Sequence, residues 1–255
     1  MAGKLYIGTS GYSYPHWENG VFYPKGLPKS GQLEYYAWHF NTVEMNYPFY
    51  RLPSSKSFSI WKETVPKDFV FAIKVSRYIT HVKYLHRVKT AWKTFFKRAL
   101  HLEQKLGPFL FQLPPSFKAN KENIQRLEDF LKILRGRTSS GGPTSKNLKF
   151  AFEFRHKTWC DKKIYDLLKK YKMAWVIANS PCYPRADVTT ADFVYIRMHG
   201  GKVLYTSNYS EKELKDWAEK IKGYFKKGLD VYVYFNNDAC GYAIDNAKSL
   251  SGFFK

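Results

Sequence analysis

Short runs of β-branched and aromatic residues, each closed by glycine, proline, asparagine or a charged residue, recur along the whole chain. Eight have the length and composition of buried strands: residues 4–8 (KLYIG), 42–45 (TVEM), 69–75 (FVFAIKV), 109–113 (FLFQL), 148–154 (LKFAFEF), 174–178 (AWVIA), 193–198 (FVYIRM) and 231–235 (VYVYF). Between most of them the apolar positions switch to helical spacing. Residues 90–106 form an amphipathic pattern that ends at Gly107-Pro108, a helix stop signal. Residues 121–134 follow Asn120, a suitable N-cap, and 161–171 repeat the pattern. Residues 210–225 open with Ser210 and Glu213 in capping-box spacing, and 243–254 form a short last helix. After the sixth strand no helix is legible, because 181–185 is rich in proline and turn formers.

Strand–helix alternation of this kind implies a parallel sheet with right-handed crossovers. Eight units favour closure into a single (β/α)8 barrel of the TIM type, irregular around the sixth unit, with an open doubly wound sheet as the alternative. The whole chain, 1–255, reads as one domain. Residues 136–147 (GRTSSGGPTSKN) read as a flexible surface insertion rather than a boundary, since both flanks belong to the same repeat.

Composition narrows the class. With 20 Tyr, 20 Phe and 7 Trp in 255 residues, ring burial is a driving force too strong for a disordered chain. No apolar run approaches the roughly 18 residues of a membrane span. The N-terminus enters a strand pattern without the apolar core of a signal peptide, so a cytoplasmic protein is expected. The three cysteines, Cys160, Cys182 and Cys240, are scattered and make neither a thiolate metal motif nor a disulfide framework. Charge changes the picture most: 42 Lys+Arg against 21 Asp+Glu give a formal +21. A field of that sign favours nucleic acid or an anionic metabolite; the competing reading is a lysine-rich surface with no partner.

In a barrel, chemistry sits at the carboxyl ends of the strands. Those ends carry Thr9 and Ser10, then Glu44 and Asn46, Lys74, Gln112, Glu153 with Arg155, Asn179 with Ser180, Arg197 with His199, and Asn236, Asn237 and Asp238. Charged groups in buried strands are costly unless they pair or line a wet cavity. Three chemistries compete. Glu44 and Glu153 serve as general acid and base, their pKa values split by Lys74 and Arg155. Or Glu44, His81, Glu153, His199 and Asp238 hold a divalent metal ion, although no spacing such as HExxH marks one. Or Lys74, Arg155 and Arg197 grip a phosphate or carboxylate, without a glycine-rich loop beyond the short Gly8-Thr9-Ser10-Gly11. Residues 77–87 (RYITHVKYLHR) interleave basic and aromatic side chains, as a single-strand-binding surface does, or as a loop packed on the rim does. Lysines 162, 163, 169, 170 and 172, with 220, 222, 226 and 227, read as solvated helix faces.

At these positions the chain resembles the YecE-like family, TIM-type barrels catalogued as domain of unknown function 72. The matching stretches are IGTSGY (7–12), Trp17, Phe22-Tyr23-Pro24, LEYY (33–36), FNTVEMNYPFY (40–50), FAIK (71–74) and ITH (79–81). Further on come LFQLPP (110–115), FEFRH (152–156) with Trp159, YIRMHG (195–200), Tyr205, Tyr209 and VYVYFNND (231–238). The resemblance implies the barrel and a pocket built from these motifs. It also implies an acidic residue at the sixth strand end, where this chain has Asn179. The family is similar in architecture to endonuclease-type barrels that bind DNA and metal. The expectation is therefore a nucleic-acid-associated, metal-assisted phosphodiester hydrolase. Glu44, Glu153, His81 and His199 would be catalytic, and Lys74, Arg155, Arg197, Asn46, Gln112, Tyr205, Asn236 and Asn237 would hold substrate. The alternatives are a non-enzymatic nucleic-acid-binding barrel, and an enzyme acting on a small anionic metabolite such as a sugar phosphate.

Overall fold

Buried runs alternating with amphipathic segments make a parallel sheet whose two faces are both covered. In the computed structural model, which describes residues 3–138 and 148–254, the eight strands are β1 (Leu5–Thr9), β2 (Thr42–Met45), β3 (Val70–Lys74), β4 (Leu106–Gln112), β5 (Phe150–Glu153), β6 (Ala174–Asn179), β7 (Phe193–Met198) and β8 (Asp230–Phe235). All their pairings are parallel, running β1-β8-β7-β6-β5-β4-β3-β2. Around them lie α1 (Gln32–His39), the single turn α2 (Tyr47–Tyr50), α3 (Ser55–Thr64), α4 (Lys89–Ala99), α5 (Lys121–Thr138), α6 (Lys162–Lys170), α7 (Glu211–Phe225) and α8 (Tyr242–Gly252). Among the described residues no helix stands between β6 and β7, as the proline-rich segment implied. None is long and apolar enough to cross a membrane. Of the expected surface insertion, 136–138 complete α5, and 139–147 lie outside the described residues.

Helix ends follow the local chemistry. Asn120 Oδ1 accepts the Asn123 N–H at 2.8 Å, and Ser210 with Glu213 forms the reciprocal capping box. One expectation fails. Gly107-Pro108 does not stop a helix over 90–106 but lies inside β4. The helix ends at Ala99 and passes into a tighter turn, Leu100–Lys105. Pro108 lacks a ladder N–H, and the β3–β4 register shifts between Phe71 and Ile73, so the pair sits at an irregularity that tolerates it. Gly107 is required there: a Cβ would lie 2.5 Å from Val70 Cγ1.

The ring closes between β1 and β2 by side chains as much as by backbone. Among the described residues β1 and β2 meet through the Ser10–Glu44 bridge, with the Gly11 N–H donating to the Glu44 carbonyl at 2.8 Å. Below it the Tyr36 hydroxyl accepts the Thr9 N–H at 2.9 Å and donates to the Thr42 carbonyl at 3.1 Å. The Asn41 amide donates to the Leu5 carbonyl at 2.9 Å and accepts the Ile7 N–H at 3.4 Å. Gly8 permits the approach, since a Cβ would stand 2.2 Å from the Thr42 oxygen.

Strand side chains alternate between faces, and this places the site. The lumen is packed by Ala72, Leu110, Ala151, Ala174 and Val176 against Phe193, Tyr195, Tyr232 and Tyr234, small residues facing large rings. Two residues further along the same strands, on the same face, come Lys74, Gln112, Glu153 and Arg197. The far larger outer cluster packs the other face against the helices.

Tyr36→Phe should cost about 1–3 kcal/mol, because it leaves the buried Thr9 N–H without an acceptor. The urea midpoint is expected to fall at unchanged slope; an unchanged midpoint would show that the seam does not need the hydroxyl.

Candidate functional site

Arg197 lies at the floor of the barrel mouth, fully buried between two carboxylates. One terminal nitrogen donates to Glu153 Oε2 at 2.6 Å; the other donates to Glu44 Oε1 at 2.7 Å and to Ser10 Oγ at 3.0 Å. Ser10 donates in turn to Glu44 through a short hydrogen bond, and Tyr195 donates to Glu44 Oε2 at 2.7 Å. Arg155 Nε donates to Glu153 Oε1 at 2.7 Å, and its guanidinium lies against the Tyr183 ring, 4.1 Å from the centroid. Burial alone would raise the Glu153 pKa, but Arg197, Arg155 and His199 together hold it well below the usual carboxylate range. Burial works against the charge on Arg197, and Glu153 and Glu44 more than restore it, raising its pKa.

Above this floor opens a cavity of about 700 Å³ whose lining includes Asn46, Lys74, Arg77, His81, Gln112, Arg155, Arg197, Tyr205, Asn236 and Asp238. His81 Nε2 faces the Gln112 amide at 3.3 Å and its Nδ1 faces Thr80 Oγ1 at 2.8 Å. Burial, then Lys74, Arg155 and Arg77, push its pKa down to about 4, so it is neutral near pH 7. Burial and then Arg197 bring Lys74 down to about 7. Asp238 accepts from Trp17 Nε1 at 2.7 Å and pairs with His16 at 2.9 Å; burial raises it to about 6 against the pull of those partners. The walls therefore carry the cations Lys74 and Arg77, which have no ion pair among the described residues, beside two arginines whose charge is offset from below.

The expected site residues separate into two levels. Asn46, Lys74, His81, Gln112, Arg155, Arg197, Tyr205, Asn236 and Asp238 share the cavity lining. Glu44, Glu153 and His199 lie beneath it, with no exposed surface. The two glutamates are thus not a free acid–base couple: Arg197 links them, rather than Lys74 and Arg155 splitting them as expected. His199 Nδ1 takes a hydrogen from the Asn236 amide at 3.1 Å, which assigns the proton to Nε2, 3.6 Å from Glu153. Asn237 turns away, its amide donating to Ser207 O and Asn246 Oδ1, so it is not placed to hold a substrate in the cavity. At the sixth strand end Asn179 accepts from the Tyr209 hydroxyl at 2.6 Å, a bond an uncharged amide makes. Tyr14, His16 and Thr206 join the lining from connecting segments, and Phe49 and Tyr50 from α2, none of which strand-end reasoning reaches; Phe49 and Tyr50 lie in the quoted motif 40–50. The segment 77–87 divides: Arg77 and His81 face the cavity, while Tyr84 stacks on Phe117 with ring centroids 5.5 Å apart.

The five residues expected as metal ligands do not converge. Among the described residues no three His, Cys, Asp or Glu side chains gather where they could hold a metal ion. The cause is visible in their partners: Arg197, Arg155, Ser10 and Tyr195 occupy the glutamates, and His16 and Trp17 occupy Asp238. This donor set does not fit a divalent ion.

The family model described as "Protein of unknown function DUF72" matches residues 6–255. The chain is similar to the UPF0759 protein YunF of Bacillus subtilis (strain 168), at 26% identity over 96% of this chain and 93% of the relative. It is also similar to the crystal structure of a DUF72 family protein from Thermotoga maritima MSB8. That likeness has TM-score 0.84 and 31% identity, over 98% and 99% of the two chains. A family 2 AP endonuclease from Brucella melitensis shares the fold alone, with TM-score 0.56 and 11% identity over 96% of each chain.

Glu153→Gln should destabilise the protein by about 3 kcal/mol, the lower end for breaking a buried pair, since buried Arg197 keeps only Glu44 and the partly exposed Arg155 loses its carboxylate. Chemical denaturation at pH 7 measures it, and a change under 1 kcal/mol on the scale of exposed pairs would contradict the network. A second expectation concerns pH. Burial and then Arg197 lower His199 to about 4, so its contribution is complete above the unfolded value near 6.5 and is lost as pH falls towards 4. Glu153, also depressed, loses its contribution only at more acidic pH. His199→Gln should flatten the stability profile between pH 6.5 and 4; an unaltered slope would contradict a neutral buried imidazole.

Proposed function

The chain belongs to the DUF72 family, and on that footing we propose that its barrel mouth binds a nucleic-acid strand, with a phosphate in the cationic cavity and a base beside it. One observation carries this reading. A second cavity of about 700 Å³ adjoins the first, and the two share Tyr14, Asn46 and Tyr50. Its walls include Tyr12, Tyr47, Ile60 and Trp61, and Tyr50 stands 70% exposed between the two. Large exposed rings next to unpaired cations match what a nucleotide offers, a flat apolar face joined to a phosphate. The formal +21 of the chain adds long-range attraction of the same sign.

Within this reading the buried layer is scaffolding. Glu44, Glu153 and Ser10 hold the Arg197 guanidinium in one orientation, and Arg155 is fixed by Glu153 and Tyr183. Arg155 then meets the phosphate without reorganising, with Lys74 and Arg77 beside it in the cavity wall. Asp238, raised by burial to about 6 at the cavity wall, is placed to exchange a proton with a ligand in mildly acidic solution.

Fluorescence anisotropy with a labelled single-stranded oligonucleotide tests the proposal. Affinity should fall with salt, and Lys74→Met should weaken binding and reduce the salt slope by about 0.7, one phosphate contact. Affinity should also fall as pH rises through 7, because only protonated Lys74 attracts the anion. A Lys162→Gln/Lys163→Gln variant on α6 serves as the comparison. If that variant loses binding while Lys74→Met keeps it, the outer helices rather than the mouth carry the charge effect. Selective affinity for a mononucleotide's phosphate alone, with no gain from the base, would support the small-metabolite reading instead.

A further inference from the structure

Lys74 differs from Lys105, the other buried lysine among the described residues, in what it does with its amine. Lys105 donates to the carbonyls of Lys62 and Val65, both at 2.6 Å, and is used up by the fold. Lys74 is 8% exposed, and among the described residues it makes no hydrogen bond and no ion pair. Its Nζ lies 4.2 Å from the centroid of the Phe49 ring and faces the cationic cavity. The nearby carboxylates are claimed by Arg197 and Arg155. A desolvated lysine beside other cations, open to a cavity, is the environment that turns an ammonium into a nucleophile. Burial and then Arg197 bring its pKa down to about 7, which favours the free amine far more than in an exposed lysine.

We propose that Lys74 forms an imine with the carbonyl carbon of a phosphate-bearing aldehyde or ketone held in this cavity. The proposal rests on the phosphate half of the reading above and does not need the base-stacking half. The free amine's lone pair forms an N–C bond as the carbonyl π pair moves to oxygen. A proton passes from nitrogen to that oxygen, giving a carbinolamine. The nitrogen pair then expels the hydroxyl, which takes the second N–H proton and leaves as water, giving C=N. Carbonyl and amine become imine and water, with no oxidant or second reactant. Arg77 and Arg155 are placed to hold the phosphate that fixes the carbonyl over Nζ, and burial, with Arg197 and Arg155 close by, favours the free amine of Lys74 before the ligand arrives. The substrate class has two sources, a free sugar phosphate or the open-chain aldehyde of a base-less sugar within a strand.

Borohydride trapping on the wild-type protein tests this at pH 7. Three probes are used separately: pyridoxal 5′-phosphate, glyceraldehyde 3-phosphate, and an oligonucleotide carrying one base-less deoxyribose. Reduction converts C=N to a stable secondary amine, and peptide mass mapping locates it. Lys74 is expected to be labelled at least tenfold faster than the exposed Lys162 and Lys212. Excess inorganic phosphate should slow that label, and pyridoxal without the phosphate should react more slowly. Lys74→Arg should lose the site adduct while the surface labelling persists. Preference for glyceraldehyde 3-phosphate or for the oligonucleotide identifies the source. Labelling spread over surface lysines, with Lys74 no faster, overturns the proposal. Inorganic phosphate binding, measured in parallel by calorimetry, separates the failures. Phosphate bound without a Lys74 adduct sinks the imine alone, and no phosphate binding sinks the phosphate reading with it.

Discussion

A guanidinium buried between two carboxylates is the constraint around which this barrel mouth is organised. Arg197 comes from β7, Glu153 from β5, Glu44 from β2, and Ser10 follows β1, so one cation ties together strands from opposite sides of the ring. Removing three charges from water costs several kcal/mol per ion, and the attraction among them repays that only when every lone pair and proton is met. Tyr195, Ser10 and Arg155 meet most of the remainder. The same bridge lies where β1 and β2 have little backbone pairing, and with Tyr36 and Asn41 it closes the ring. Closure and site construction are therefore one arrangement.

That arrangement leaves its neighbour uncompensated. Both carboxylates at the floor are committed to arginine, so Lys74 is desolvated beside cations without an ion pair among the described residues. A stability argument alone would replace it, since an unpaired buried ammonium is a liability. Kept at a cavity wall beside Arg77, it makes the mouth a place where an anion gains more than it would on the lysine-rich outer helices, whose cations are hydrated and partly paired within their own helices, as Lys162 is with Asp166 and Lys212 with Asp216.

Period-two alternation made the fold and the floor legible from the sequence. Ala72 and Lys74, Ala151 and Glu153, Tyr195 and Arg197 are successive residues on one strand face, so once the strands were located the polar member of each pair had to point into the mouth. The pattern says which face a residue takes, but not which residue meets which across the barrel. Glu44 and Glu153 looked like free acids or metal ligands because their common partner, Arg197, is far from both in sequence. Asn237 follows Asn236 on a chain that has left the strand, where alternation no longer holds, and it turns to Asn246 instead. Gly107-Pro108 misled for a similar reason: both residues punctuate helices, and only the β3–β4 register shows that they sit at a strand irregularity. His16 and Tyr14 reach the cavity from the segment after β1 and Tyr50 from the single turn α2, whose courses no local pattern encodes.

The central claim is that an anion binds above Arg197, against Lys74, Arg77 and Arg155, with a ring beside Tyr50. A crystal structure with a short oligothymidylate at low salt tests it most directly. A phosphate is expected in contact with Lys74 and Arg155, and a base in the adjoining cavity between Tyr50 and Trp61. Ordered phosphates on α6 and α7 with an empty mouth would contradict it.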